Sequence, residues 1–128
     1  MKLVTGSSGF IGSNLCQELR KRRIKFEKAD LKNLFDVSEQ EIKGKYDVIF
    51  HLACNASIPD SFNKPIETHK NNIIGMLRVL EHAKKTGASV VFSSSASVYD
   101  LVSPYAIQKK ICEDYLKLYW PSVKSVAL

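Results

Sequence analysis

Tyr105 and Lys109 stand four residues apart in a stretch that Ser103-Pro104 opens as a helix, so they share one face with the ammonium within reach of the phenol. A neighbouring cation favours phenolate. The spacing therefore predicts a tyrosine pKa lowered toward the range in which it trades a proton with a substrate hydroxyl near neutrality. Ser95 ends the cluster Ser93-Ser94-Ser95 and supplies a hydroxyl for the reacting oxygen. A second chemistry lies at the other end of the chain. Thr5-Gly6-Ser7-Ser8-Gly9-Phe10-Ile11-Gly12 follows the apolar Leu3-Val4 and precedes the helical spacing Ile11, Leu15, Leu19, so three glycines fall where a strand turns into a helix. Such a turn cradles phosphate, because glycine adopts its dihedrals and lets a pyrophosphate approach backbone amides at the positive end of the helix dipole. Asp30, eighteen residues beyond Gly12, stands where a carboxylate accepts hydrogen bonds from an adenosine ribose. It would repel a 2′-phosphate, which favours NAD over NADP.

The elements that must position these groups alternate. Lys2 to Thr5 reads as a first strand, about 9 to 22 as a first helix, and Ile24 to Ala29 as a second strand. Ser38 and Glu41 have capping-box spacing for one helical turn ending near Gly44. Asp47 to Ala53 is apolar enough for a strand buried on both faces, with His51 a hydrogen-bonded structural histidine. Asn55 to Lys64 reads as a loop on the ligand edge. From Pro65 to Lys85, Ile66, Ile73, Met76, Leu77, Leu80 and Ala83 mark one amphipathic helix stopped by Gly87. Ala88 to Phe92 is a further strand, a helix runs from Ser103-Pro104 to about Tyr119, and a last strand begins at Val123. The alternation predicts an α/β fold, a Rossmann-like doubly wound parallel sheet of about five strands in the order 2-1-3-4-5, in three α/β/α layers.

The totals agree with one domain spanning 1–128. The chain has 128 residues, 45% of them hydrophobic, and no apolar run near the roughly 20 residues of a membrane span. Its N-terminus lacks the apolar region of a secretory signal, so a cytoplasmic protein without membrane partners is expected. Cys16, Cys54 and Cys112 are odd in number and widely spaced, which argues for free thiols and no metal site. The net charge is +6, but its densest run, Arg20-Lys21-Arg22-Arg23, closes the first helix and lacks interleaved aromatics. It reads as a solvated helix terminus, with no nucleic-acid partner.

With these residues in place the chain resembles the extended short-chain dehydrogenase/reductase family, the NAD-dependent nucleotide-sugar epimerases and dehydratases. Thr5 to Gly12 is similar to the family's TGxxGxxG, His51-Leu52-Ala53 to its HLA, Asn71 to Gly75 to its helix motif, Ser93 to Tyr99 to its SSSxxVY, and Tyr105 to Lys109 to its YxxxK. The resemblance implies an oxidoreductase that moves a hydride at a sugar carbon, with Ser95, Tyr105 and Lys109 as catalytic triad. It further implies NAD held by Gly6, Gly9, Phe10, Ile11 and Gly12 at the pyrophosphate, and by Asp30 and Leu31 at the adenosine. Asp30 matches either the family's ribose-binding acid or its later acid beside adenine. Leu52, Ala53, Asn71, Ser93, Tyr105 and Lys109 would line the rest of the cofactor. A homodimer through helices 65–85 and 104–119 is implied in the same way. Two departures stand out: only nine residues separate Ser95 from Tyr105, and the family's C-terminal substrate domain has no counterpart in the 128 residues. The alternative expectation is thus a truncated dinucleotide-binding module with little or no turnover alone.

Overall fold

A computed structural model describes residues 1–30 and 36–128. Strands β1 (Lys2–Thr5), β2 (Phe26–Ala29), β3 (Val48–His51), β4 (Ser89–Phe92) and β5 (Ser125–Ala127) form one parallel sheet in the order β2-β1-β3-β4-β5. This is the expected order. Its switch point lies between β1 and β3, where the chain leaves for opposite sides of the sheet and the loops beyond the strands part to open a crevice.

Alternation along the strands divides the core. Leu3, Ile49, Val90 and Phe92 face helices α4 (Gly75–Thr86) and α5 (Pro104–Tyr119), packing with Met76, Val79, Leu80, Ala83, Cys112 and Leu116. Val4 points the other way onto Cys16 and Leu19 of α1 (Phe10–Lys21), with Phe50 and Leu52 alongside. The larger cluster thus fixes α5, which carries Tyr105 and Lys109. Helix ends follow their residues: Ser103 Oγ accepts from Ala106 N at 3.1 Å, and Gly87 closes α4 at φ +77°, a left-handed conformation that glycine adopts without strain.

Three local expectations need correction. Ser38 and Glu41 do not start a helix; the Asp36 carboxylate accepts from both Ser38 N (2.8 Å) and Ser38 Oγ (2.7 Å), so the polar side chain closes a turn and competes with helix formation. Residues 55–64 are not all loop, because Ser57 caps the short α2 (Ile58–Asn63) by accepting from Asp60 N at 3.2 Å. The long helix is interrupted as well. Helix α3 (Pro65–His69) passes through a π-helical turn, Lys70–Ile74, before α4 begins. A π turn holds more residues per turn, so the face set by Ile73 and Met76 continues upstream through Thr68, which is 0% exposed, while Ile66 is 86% exposed.

Candidate functional site

The turn after β1 is built by exclusion. Gly6 has φ +66°, and a Cβ there would lie 2.6 Å from Ala53 N; a Cβ on Gly12 would lie 2.1 Å from Gly6 O. Both positions therefore bring backbone onto backbone as no other residue allows. Gly9 differs, since a Cβ there would meet only Gly6 O, at an ordinary 3.4 Å. Gly9 is the N-cap of α1, and among the described residues no side chain caps that helix and no acid occupies its first turn. Its leading amides are left for an anion. Phe10 and Ile11 lie exposed on this first turn, and Gly12 is buried against Gly6.

Thr5 and His51 lock the neighbouring strand end. Thr5 Oγ1 accepts from Leu52 N and Ala53 N, both at 3.2 Å, which uses its lone pairs. Its proton then goes to His51 Nδ1 at 2.8 Å, assigning the imidazole as neutral with its own proton on Nε2. Burial, aided by the Lys109 charge, pushes the His51 pKa down to about 3. His51 is structural, as its place inside a strand predicts.

A cleft of about 690 Å³ opens above this edge. Gly6, Gly9, Asp30, Leu52, Ala53 and Asn71 line it, six of the residues named from the sequence. Asp30 is 7% exposed and accepts from Ser7 Oγ. Leu31 lies outside the described residues. The far wall consists of Asp36, Val37, Ser38 and Glu39 with Glu67 and Lys70, and the Lys70 ammonium pairs with the Glu39 carboxylate at 2.5 Å. The one sequence sign of that wall is Asp36 two residues before Ser38, the spacing of an Asx turn. The volume, the glycine cradle and the uncapped helix together fit a dinucleotide.

Beyond Ala53 the cleft reaches Cys54, which sequence reasoning also missed. Burial raises the Cys54 pKa while the nearby Lys109 ammonium draws it back. Lys109 is 3% exposed, donates to Ser93 O at 2.6 Å and lies 4.5 Å from the Phe92 ring centroid and 5.9 Å from that of Tyr105. Ser95, whose Oγ pairs with Ser97 Oγ at 2.8 Å, lies beside the Tyr105 phenol. The structure gathers Ser93, Ser95, Tyr105 and Lys109 beside Cys54, and none of the four lines the cleft itself. It corrects one expectation: burial raises the Tyr105 pKa above its usual value, with Ser95 opposing, because the phenol is enclosed and the ammonium is spent on the Ser93 carbonyl. Among the described residues no cluster of histidine, cysteine or acid could hold a metal, the three thiols are free, and no helix is long and apolar enough to cross a membrane.

A UDP-N-acetylglucosamine 4-epimerase from Methanobrevibacter ruminantium M1, in complex with UDP-N-acetylmuramic acid, superimposes with a TM-score of 0.89 at 30% identity, covering 98% of this chain and 53% of that one. A UDP-glucose 4-epimerase from Thermus thermophilus, in complex with NAD, gives 0.86 at 26% identity, with 99% and 54% covered. UDP-glucuronic acid decarboxylase 6 of Arabidopsis thaliana is 31% identical over 98% of this chain and 40% of its own length. The chain spans about half the length of these solved structures. The family model for NAD dependent epimerase/dehydratase matches residues 2–124, and the chain belongs to that family.

Proposed function

We propose that the chain binds NAD along the carboxyl edge of its sheet and presents Ser95, Tyr105 and Lys109 to a nucleotide-sugar hydroxyl. The observation that carries this is the continuity of the edge: Ala53 backs the glycine turn, and Cys54, the next residue, lies in the cleft within the influence of Lys109 and Tyr105. One bound molecule running along the cleft would meet both. Gly6 and Gly9 with the first turn of α1 hold a pyrophosphate, Asp30 takes ribose hydroxyls, and Leu52, Ala53, Asn71 and Ser93 enclose the remainder. NAD, when bound, supplies a hydride acceptor and donor for a sugar carbon. Ser95 steadies the sugar oxygen and Tyr105 exchanges its proton. Because burial keeps the phenol protonated, Tyr105 is an acid as it stands, and the oxidising direction, which needs its phenolate, should quicken as pH rises.

Calorimetric titration with NAD and NADP tests the cofactor: preferential NAD binding is expected, and binding of neither overturns the reading. A screen of UDP- and dTDP-sugars, with Tyr105→Phe as control, tests the chemistry; turnover in the wild type that the variant loses is the expected result.

A second reading, a dinucleotide-binding module with little turnover of its own, is favoured by a specific feature. Phe50, Val91 and Val126 are register neighbours across three strands on the face that α1 covers, yet Phe50 and Val91 are only half-buried and Val126 is 48% exposed. Parallel sheets are ordinarily covered on both faces. NAD binding without turnover on any sugar nucleotide would select this reading. Exposed Ile66, Ile107 and Leu118 on the helical face leave room for the homodimer, to be tested by light scattering. A cytoplasmic setting belongs to the same proposal and agrees with the free thiols.

A further inference from the structure

Between α5 and the crevice runs a chain of buried amides with a single polarity. Thr68 Oγ1 donates to Pro65 O at 3.2 Å, so it can only accept from its other neighbour, Gln108 Nε2, at 3.1 Å. That turns Gln108 Oε1 toward Asn72, whose Nδ2 donates to it at 2.7 Å and to Asn55 O at 3.1 Å. Asn72 Oδ1 must then face Asn55 N, from which it accepts at 2.8 Å. The same Asn55 N–H is shared with Asn71 Oδ1 at 3.0 Å. Gln108 and Asn72 are each 3% exposed and Thr68 is 0% exposed, so the set is satisfied without solvent.

The π turn makes this fork possible. It sets adjacent residues to opposite uses: Asn71 lines the cleft, while Asn72 is buried and reaches Gln108 on α5. Segments with one wide turn recur at functional sites. Asn55, held by both, directly follows Cys54, which lies beside Lys109. Gln108 is the residue before Lys109 and lies three beyond Tyr105 on the same helix. Apolar packing of α5 fixes its distance from the sheet but tolerates small rotations, whereas directional amide bonds do not.

We propose that Gln108 is a positioning residue: its carboxamide, locked between Thr68 and Asn72, sets the rotation of α5 and so the place of the Tyr105 phenol and Lys109 ammonium against the loop after β3. The role rests on the reading of Tyr105 and Lys109 as the chemical groups of the site. It needs no ligand to exist, and can be measured in the free chain.

The test follows the Tyr105 ring resonance, assigned by its loss in Tyr105→Phe, through an alkaline titration in wild type, Gln108→Met and Thr68→Ser. The groups facing that phenol are Ser95, Cys54 and Lys109, and all are kept in every variant. Gln108→Met preserves volume and removes both amide hydrogen bonds; it should displace the resonance, shift its titration and weaken NAD about tenfold. Thr68→Ser keeps the hydroxyl that accepts from Gln108 and should leave both readouts as in wild type. A Gln108→Met protein that melts earlier but titrates and binds NAD as wild type does, or a Thr68→Ser protein as displaced as Gln108→Met, overturns the proposal. Should Gln108→Met fail to fold, Thr68→Val removes the other anchor and carries the same expectation and the same refutation. If wild type binds no NAD, the cofactor reading fails while the resonance still decides the role of Gln108.

Discussion

Lowering the pH from 7 to 5 should destabilise this chain through His51. The folded imidazole has a pKa of about 3 against an ordinary 6.5, because it is fully enclosed, faces Lys109 and receives the Thr5 hydroxyl proton on Nδ1. A depressed pKa means that the unfolded chain takes up a proton the folded chain refuses. Stability is therefore complete above pH 6.5 and is lost as the pH falls toward 3. At pH 5 the unfolded form gains about 2 kcal/mol from that proton, and the whole difference, at most about 5 kcal/mol, develops only near pH ~3. For a domain of this size about 2 kcal/mol corresponds to a fall in melting temperature of about 8 °C. Urea unfolding of wild type and His51→Gln, at half-unit steps from pH 7 to 5, isolates the effect. The level of stability of the variant is immaterial; its slope should be flatter by about 1 kcal/mol per pH unit. His82, whose pKa burial also lowers, contributes equally to both proteins and cancels. The lowered carboxylates, Glu18, Asp47 and Asp114, titrate below this window. Parallel slopes, or an imidazole resonance of His51 that titrates near its ordinary 6.5, would refute the lock between Thr5 and His51.

The glycines of the first turn should separate into structural and binding roles. Gly12→Ala drives a Cβ to 2.1 Å from Gly6 O and is expected to cost more than about 2 kcal/mol in urea unfolding. Gly9→Ala meets only an ordinary contact, so it should fold as wild type does while losing NAD affinity about tenfold in calorimetry. Equal stability losses at both positions would contradict the cradle. Asp30→Asn keeps an acceptor for the Ser7 hydroxyl and removes the charge. The ratio of NADP to NAD affinity should rise about tenfold or more, the order expected when one charge repulsion near the surface is removed, and an unchanged ratio would detach Asp30 from the ribose.

Strand order, element sequence and the separation of the two chemical centres are legible in the sequence because each rests on a short, local rule. The strands of the sheet's middle are continuous or alternating apolar runs, and the βα alternation leaves few topologies for a parallel sheet. What escapes such rules are places where a side chain outbids the backbone pattern. Asp36 captures Ser38 before a capping box can form, and Ser57 with Pro59 begins a helix where a proline between polar residues looks like a loop. The π turn is the clearest case. Ile66 and Ile73 are seven apart, about two turns of an α-helix, and periodicity alone places them on one face. Asn72, bonded on both sides, draws the helix into a wider turn, and no reading of apolar spacing contains that demand.

The same limit governs the site. Spacing gives direction: Tyr105 and Lys109 do share a face, and the glycine turn, Asp30 and the serine cluster each follow a parallel strand at its carboxyl end. It says nothing of what each group is already bonded to, or of how much water remains around it. Four-residue spacing has Lys109 pulling the phenol pKa down, yet its ammonium donates to the Ser93 carbonyl beside the Cys54 thiol, while the phenol is enclosed and raised. Neither partner is visible in that spacing, since Ser93 and Cys54 follow β4 and β3 and meet α5 only once the sheet has formed. A tyrosine held protonated and a lysine held by a carbonyl form a resting arrangement, and whatever ligand loosens the Lys109 contacts would also decide how acidic Tyr105 becomes. The phenol should accordingly titrate lower in a complex whose ligand engages Lys109 than in the free chain. A ring resonance of Tyr105 with the same midpoint with and without saturating NAD would count against that coupling.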